Sequence, residues 1–385
     1  MTSRVGMQPS TTFGATPGYR VPFVNYRQMY RDIGGELEAA FHDVMSRGQY
    51  ILRDEMKQLE RDLATFLGVK RVVAVANGTD ALYLAVRAAG IGPGDEVIAP
   101  AHTFVATVGA IVFAGAVPRL VEVDDDFNID VNAFERAVTA RTKAVLPVHL
   151  NGRLAQMDRI MDISARHGLT VIEDAAQALG ATLDGRKGGA WGLAGTFSFY
   201  PAKILGTAGD GGAISTNDDA FAERLVAMRD NGRTSDGGQS GFGFNSRLDN
   251  IHAAMLLVKM RYLPGWLAKR REHAAAYDRG LTGLDGLILP PPPGEGGRHH
   301  DVYQNYVVRT SRKAEAMEFL RSRGIEILVN CGTPLHKYES LDLEGYSLPR
   351  TEQIVAESFS LPLYPELEVE QRDYVITTLR EFLSA

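Results

Sequence analysis

From about residue 70 to residue 217 short β-branched runs alternate with longer amphipathic stretches, and this alternation narrows the possible folds more than any other feature. Strands that are repeatedly separated by helices build a mostly parallel sheet covered by those helices. The strand candidates are 71–75, 96–99, 118–123, 144–148, 170–172 and 195–199, with 212–215 as a seventh. Helical spacing lies between them at 80–89, 105–114, 131–138 and 157–167, and ahead of them at 26–47 and 53–67.

Past this unit the character changes. Helical patterns cover 219–230 and 249–281, the second long and expected to be interrupted or kinked at Pro264 and Gly265. The run Pro290 to Gly297 is a breaker cluster and reads as an exposed loop, followed by a strand at 306–309, a helix at 313–323 and a closing helix at 370–383. The predicted organisation is a loose tail over 1–20, a large unit over 21–265 and a smaller α+β unit over 266–385. A chain of 385 residues, 45% hydrophobic, can bury the cores that such a division needs. A net charge of -6 with no dense Lys/Arg run argues against nucleic acid or an anionic membrane as partner, and no apolar stretch reaches spanning length. Cys331 is the only cysteine, which is compatible with a reducing compartment, and the cytoplasm is the expected location.

The chemistry centres on Lys203. It ends the run Thr196-Phe197-Ser198-Phe199-Tyr200-Pro201-Ala202 and precedes Gly206, Gly209, Gly211 and Gly212. An amine at an aromatic strand end is partly desolvated, which lowers its pKa and makes it a nucleophile toward carbonyl carbon, as pyridoxal phosphate requires. The plain alternative is a solvated lysine in a turn. Three further parts belong with such a lysine: a carboxylate for the pyridine nitrogen, an anion cup for the phosphate and a flat partner for the ring. Asp174, just past the strand 170–172, is the carboxylate candidate, since ligands of open parallel sheets bind outside the carboxyl ends of strands. An N-cap role is its alternative, and Glu173, on the opposite side of the strand, is the weaker candidate. Ala76 to Leu82, a strand end running into a helix, is the cup: Gly78 admits close backbone approach, the Thr79 hydroxyl can donate, and Ser198 can add a further bond. Phe104 and His102 compete for the ring face, with burial in the core as the alternative for both. His299, His300 and Asp301 read as a solvated loop rather than a metal site. His149, His252 and His336 read as core or surface residues.

Five stretches in order carry a resemblance. They are ANGTDAL at 76–82, PVHLNG at 147–152, VIEDAAQALGA at 171–181, FSFYPAKILGTAGDGGAI at 197–214 and GFNSRLDNIHAA at 243–254. Over residues 21–385 the chain resembles sugar aminotransferases of the DegT/DnrJ/EryC1/StrS type. That resemblance implies the pyridoxal phosphate-dependent transferase fold type I, an α/β architecture with a mostly parallel seven-stranded sheet flanked by helices and a smaller α+β C-terminal domain. It implies Lys203 as the Schiff-base lysine, Asp174 on the pyridine nitrogen, and Gln177 near the cofactor 3-hydroxyl. Gly78, Thr79 and Ser198 would surround the phosphate, and Phe104 would stack on the ring. Asn245 is implied as a phosphate contact donated by the neighbouring subunit of a homodimer, and Arg247 as a substrate contact. The implied reaction moves an amino group from an amino acid, glutamate, to a nucleotide-linked keto sugar by ping-pong kinetics.

The departures from the family pattern fall on segments that touch substrate. Arg233 to Gly238 replaces a Lys-Tyr-x-His stretch, His252 stands where glutamine is usual, and 329–336 lacks a His-Tyr-Pro before Pro334-Leu335. A cyclitol aminotransferase would share every cofactor residue, and a non-catalytic regulatory protein could share the fold. Related dehydratases replace the lysine with histidine, so Lys203 argues against that chemistry.

Overall fold

The structure, a computed structural model, describes residues 18–343 and 345–384, and of Glu295 the backbone alone. Of the expected tail, residues 1–17 lie outside the described residues. The helices are α1 Tyr26–Arg47, α2 Asp54–Leu67, α3 Gly78–Ala88, α4 Val105–Phe113, α5 Val131–Ala137, α6 Met157–His167, α7 Asp219–Arg229, α8 Asn250–Leu281, α9 Lys313–Ser322, α10 Pro349–Glu357 and α11 Val369–Ser384. The strands are β1 Arg71–Val75, β2 Glu96–Pro100, β3 Val117–Val121, β4 Thr142–Val145, β5 Thr170–Asp174, β6 Thr182–Leu183, β7 Arg186–Lys187, β8 Ala194–Ser198, β9 Gly212–Thr216, β10 His299–His300, β11 Tyr306–Arg309 and β12 Ser358–Leu361.

Seven strands form one sheet in the order β1-β9-β8-β5-β4-β2-β3. All neighbours are parallel except β9, which is antiparallel to both β1 and β8. Successive side chains of a strand face opposite ways, so a sheet covered on both sides needs apolar residues at consecutive positions. Val72 and Ala74 of β1, Ile98 of β2 and Val171 of β5 pack on one face with Leu59 of α2, Phe134 of α5, Ile160 of α6 and Leu256 of α8. Val73, Val97, Ile172 and Ile214 pack on the other with Leu82 of α3, Ile111 of α4 and Leu225 of α7. Each such aliphatic side chain contributes about 1.5–3 kcal/mol on burial.

A separate core forms where the pair β11 and β12 meets α9, α11 and the C-terminal part of α8. Tyr277 and Tyr306 are buried there with ring centroids 4.9 Å apart, and their hydroxyls donate to the Pro362 carbonyl (2.7 Å) and Asp278 (2.6 Å).

Two expectations change. The helix expected to be interrupted or kinked at Pro264 is not interrupted: it is one helix of 32 residues with the proline inside it. His299 and His300 are not loop residues: they form β10 and pair with Leu183 and Thr182 of β6, extending the β6–β7 hairpin to three strands. No helix among the described residues is long and apolar enough to cross a membrane.

Candidate active site

The sheet gathers the sequence-derived residues at one edge. The carboxyl ends of β1, β2, β5 and β8 face the same way, and the antiparallel β9 brings its amino end to them. Gly212 of β9 is the register partner of both Val75 in β1 and Ser198 in β8. The start of α3 is thereby pressed against these strands. A Cβ on Gly78 would lie 2.8 Å from the Ser198 Cβ, and one on Gly212 would lie 2.3 Å from the Asn77 carbonyl oxygen and 2.9 Å from the Gly78 nitrogen. Asn77 caps α3, its side chain accepting from the Asp80 N–H at 2.8 Å. The hydroxyl of Ser246 donates to Asp80 (2.7 Å) and accepts from the Ala76 N–H (3.3 Å), which ties the 245–247 stretch to this helix. Free amides at a helix N-terminus beside a serine hydroxyl form a cup for a dianionic phosphate. Thr79 stands exposed at its rim.

Asp174 is the last residue of β5 rather than the first beyond it, because its N–H donates to the Pro147 carbonyl at 2.9 Å. It is 6% exposed. Its Oδ2 accepts from the Thr107 hydroxyl (2.8 Å), itself bonded to Thr103 (2.7 Å), and its Oδ1 accepts from the Ala176 N–H (3.2 Å). The carboxylate is therefore aimed by the first turn of α4. Glu173 points to the other face and is fully engaged. It accepts from the N–H groups of Gly189 (2.8 Å), Trp191 (2.7 Å) and Gly192 (2.9 Å), and from His149 Nε2 (2.9 Å). His149 Nδ1 accepts from the Ala155 N–H at 3.2 Å, so the ring proton sits on Nε2 and is donated to Glu173. Glu173 thus shapes the turn into β8 and has no part in the edge chemistry.

Lys203 lies in the turn after β8, its N–H donating to the Tyr200 carbonyl at 2.9 Å. Burial holds its amine below the ordinary lysine value, while the nearby Asp174 carboxylate and, less strongly, Cys331 oppose that shift. Cys331 belongs to the same cluster: burial pushes its thiol up to about 11, Lys203 opposing and Asp174 adding to the rise. With Asn330, Ser360 and His102 it lines a cavity of about 10 Å³. In the sequence Cys331 stands out only as the single cysteine and as part of the departing 329–336 segment, and nothing local announces its nearness to Lys203.

Exposure separates Phe104 from His102. His102 is 4% exposed, lies 6.0 Å from Phe127 between ring centroids, and is pushed down to about 4 chiefly by burial. Phe104 precedes α4 and is 61% exposed, leaving its ring free to meet a planar ligand. Gln177 accepts from the Asn151 N–H at 2.8 Å through its carbonyl oxygen, leaving its NH₂ group to meet a ligand oxygen. Asn245 is exposed and bridges to Asp230 through the backbone, and Arg247 is ion-paired with Asp230 at 2.9 Å. No hydrogen bond joins either to Lys203 or Asp174 among the described residues.

Two residues of α8 support the turn that carries Lys203: His252, which the sequence marks only as a core or surface histidine, and Lys259, which it does not mark at all. His252 Nδ1 bonds the Thr207 hydroxyl at 2.9 Å, and its ring blocks any side chain on Gly209. Lys259 is 5% exposed, its amine lowered to about 8 by burial, and it donates to the Gly206 carbonyl.

Comparison with known proteins identifies the family and its cofactor. A model of the DegT/DnrJ/EryC1/StrS aminotransferase family matches residues 31–380. The chain is 43% identical to a pleiotropic regulatory protein of Geobacillus stearothermophilus, covering 94% of this chain and 98% of that one. It is 41% identical to the dTDP-3-amino-3,4,6-trideoxy-alpha-D-glucose transaminase of Streptomyces venezuelae, covering 94% and 96%. The crystal structure of DesV from S. venezuelae, in complex with a ketimine intermediate, superposes with a TM-score of 0.92 at 40% identity, covering 96% of this chain and all of that one. The fold is accordingly that of the fold type I pyridoxal phosphate enzymes. Pyridoxal phosphate, the cofactor of this family, fits the residues present: the amides at the start of α3, held in place by the close packing of Gly78 and Gly212, an aimed carboxylate and a desolvated amine. The chain belongs to the DegT/DnrJ/EryC1/StrS family and is a pyridoxal phosphate-dependent aminotransferase.

Proposed function

We propose that the protein aminates a nucleotide-linked keto sugar, with glutamate as amino donor and Lys203 as the Schiff-base residue. The observation that carries the reading is the convergence of Lys203, Asp174 and the Gly78–Ser198 cup at one sheet edge. When bound, pyridoxal phosphate supplies the electron sink that stabilises negative charge at the substrate carbon. The protein's own residues do the rest. Asp174, oriented by Thr107, holds the positive charge of the ring nitrogen, and Gln177 binds the ring oxygen. The Lys203 Nζ, neutral more readily than an ordinary lysine, takes the proton from the donor α-carbon in one half-reaction and returns a proton to the acceptor carbon in the other. Glutamate leaves as its oxo acid before the keto sugar enters, so the kinetics are ping-pong.

The names of several relatives support the acceptor: transaminases forming dTDP-linked and UDP-linked amino sugars match over most of this chain. In this reading the protein is a cytoplasmic homodimer. Asn245 of the partner subunit reaches the phosphate, and Arg247, steadied by Asp230, meets the substrate. We divide the chain into a cofactor-binding unit at 21–265 and a smaller unit at 266–385, with α8 running through the boundary. The regulatory name of one relative does not alter the reading, because the lysine, carboxylate and phosphate candidates are all present in this chain and function follows the site rather than the fold.

The decisive experiment incubates the enzyme with nucleotide-linked 3-keto and 4-keto sugars and with scyllo-inosose, each with glutamate or glutamine, and reads products by mass spectrometry. Amination of a nucleotide sugar with glutamate is expected. Amination of scyllo-inosose alone would replace the sugar reading with the cyclitol one.

A further inference from the structure

The turn that carries Lys203 is gripped from both sides by side chains that belong to other parts of the chain. Gln304 Nε2 donates to the carbonyl of Ala202, directly before the lysine, at 2.7 Å. Lys259 Nζ donates to the carbonyl of Gly206, shortly after it, at 2.5 Å. Between these points the turn closes on itself: Lys203 N–H meets the Tyr200 carbonyl and Thr207 N–H the Phe199 carbonyl at 2.8 Å. A Cβ on Gly206 would lie 2.4 Å from the Pro201 carbonyl oxygen, so the turn is folded as tightly as glycine permits.

The Gln304 grip is itself braced. Gln304 sits in a segment whose backbone is fixed by Arg270, a buried guanidinium whose Nη1 donates to the carbonyls of Tyr303 (3.0 Å) and Leu363 (3.1 Å) and, more weakly, of Gln304 (3.5 Å). Opposite it stands Gly152 at φ 93°, where a Cβ would lie 2.7 Å from the Gln304 nitrogen and 2.8 Å from that of Tyr303. At ~3.6 residues per turn, Lys259 and Arg270 are about three turns apart on α8 and share one face. A single helix face therefore supports the lysine turn twice, directly through Lys259 and indirectly through Arg270 and Gln304.

We propose that Gln304 and Lys259 are the positioning residues of Lys203, fixing the backbone on either side so that its Nζ keeps its place beside Asp174. The inference rests on the reading of Lys203 as the Schiff-base residue. It accounts for a demand of that reading: the same Nζ must exchange protons in both half-reactions, and a base that wanders by an ångström loses rate steeply.

The test uses Gln304→Glu, which keeps the shape but removes the donor, with Lys259→Met and the donor-retaining Lys259→Arg. Hydrogen exchange by mass spectrometry on the cofactor-free protein reads the amides of Lys203 and Thr207. Gln304→Glu and Lys259→Met should each speed their exchange about 10-fold or more while α3 and α6 stay protected. In the enzyme loaded with pyridoxal phosphate, kcat should fall between about 10- and 100-fold with KM for the amino donor held within about two-fold. Lys259→Arg should restore both readouts. Unchanged exchange in Gln304→Glu overturns the proposal, and so does faster exchange with an undiminished kcat. If Lys259→Met does not fold, Gln304→Glu and Lys259→Arg decide alone. Lys203→Ala is run alongside: continued transamination by that variant removes the lysine's role, and the proposal with it, whereas the exchange data report on the grip independently.

Discussion

Gly78 and Ser198 are packed so closely that no side chain fits between them: a Cβ on the glycine would sit 2.8 Å from the serine Cβ. The contact locks the first turn of α3 against the end of β8, which fixes in place the free amides at the helix start that suit a phosphate. Gly78→Ala should therefore weaken pyridoxal phosphate binding by about 10-fold or more through displaced amides, with Ser198→Ala giving a smaller loss of one hydrogen bond. Equilibrium dialysis measures both. Normal affinity in Gly78→Ala would move the phosphate elsewhere.

Lys203→Ala should abolish turnover yet leave the circular dichroism spectrum and the melting temperature close to wild type, since the residue lies in a turn outside the sheet. Asp174→Asn keeps the shape and the Thr107 contact but lacks the negative charge, and kcat should drop by about 100-fold or more. Steady-state kinetics on the two variants give the answer. A near-normal rate in either removes that residue from its role.

His102 makes stability depend on acid. Burial holds its imidazole at about 4 in the folded chain, below the ordinary value of 6.5, so between these pH values the unfolded chain binds the extra proton. Stability thus rises with pH across that window and is lost as pH falls toward 4, with a full contribution of about 3 kcal/mol. Urea denaturation of wild type and His102→Gln at pH 4 to 7 should show a flatter acid limb in the variant. Parallel limbs would mean that His102 does not titrate in this way.

Glu173→Gln should cost stability rather than chemistry. The carboxylate accepts from three backbone amides and His149, and the amide that replaces it turns a donor toward those donors. A loss of about 2–4 kcal/mol is expected from such a buried network. Chemical denaturation reads it directly, and cofactor affinity of the folded fraction should be unchanged. An unperturbed midpoint would show that the turn holds itself.

The sequence was legible where periodicity is long or where function sits at a strand end. The amphipathic spans at 26–47 and 157–167 coincide with α1 and α6, because many residues vote for one period. Lys203, Asp174, Gly78 and Ser198 could be assembled because each follows or closes a strand of one sheet, and a sheet edge brings such positions together. The hairpin at 182–187 and β10 escaped, since two-residue strands carry no alternation to detect. Lys259 and Arg270 escaped for a different reason. A cation in a helix reads as solvated, and only the carbonyls of Gly206, Tyr303 and Leu363 explain their burial. His252, about two turns before Lys259 on the same face, was the available signal: polar residues repeating down one stripe of an otherwise packed helix.

The reversed direction of β9 has one more consequence. The excursion from Ser198 to Gly212 leaves and rejoins the sheet at register partners on adjacent strands, about 4.8 Å apart. The chain between them never has to travel to the far end of the sheet. Between those ends the path is set by side chains of α8, Lys259 holding the Gly206 carbonyl and His252 the Thr207 hydroxyl. The lysine therefore rides on a short excursion whose ends belong to the sheet and whose middle belongs to α8, so a change in its length would displace the amine before it displaced a strand.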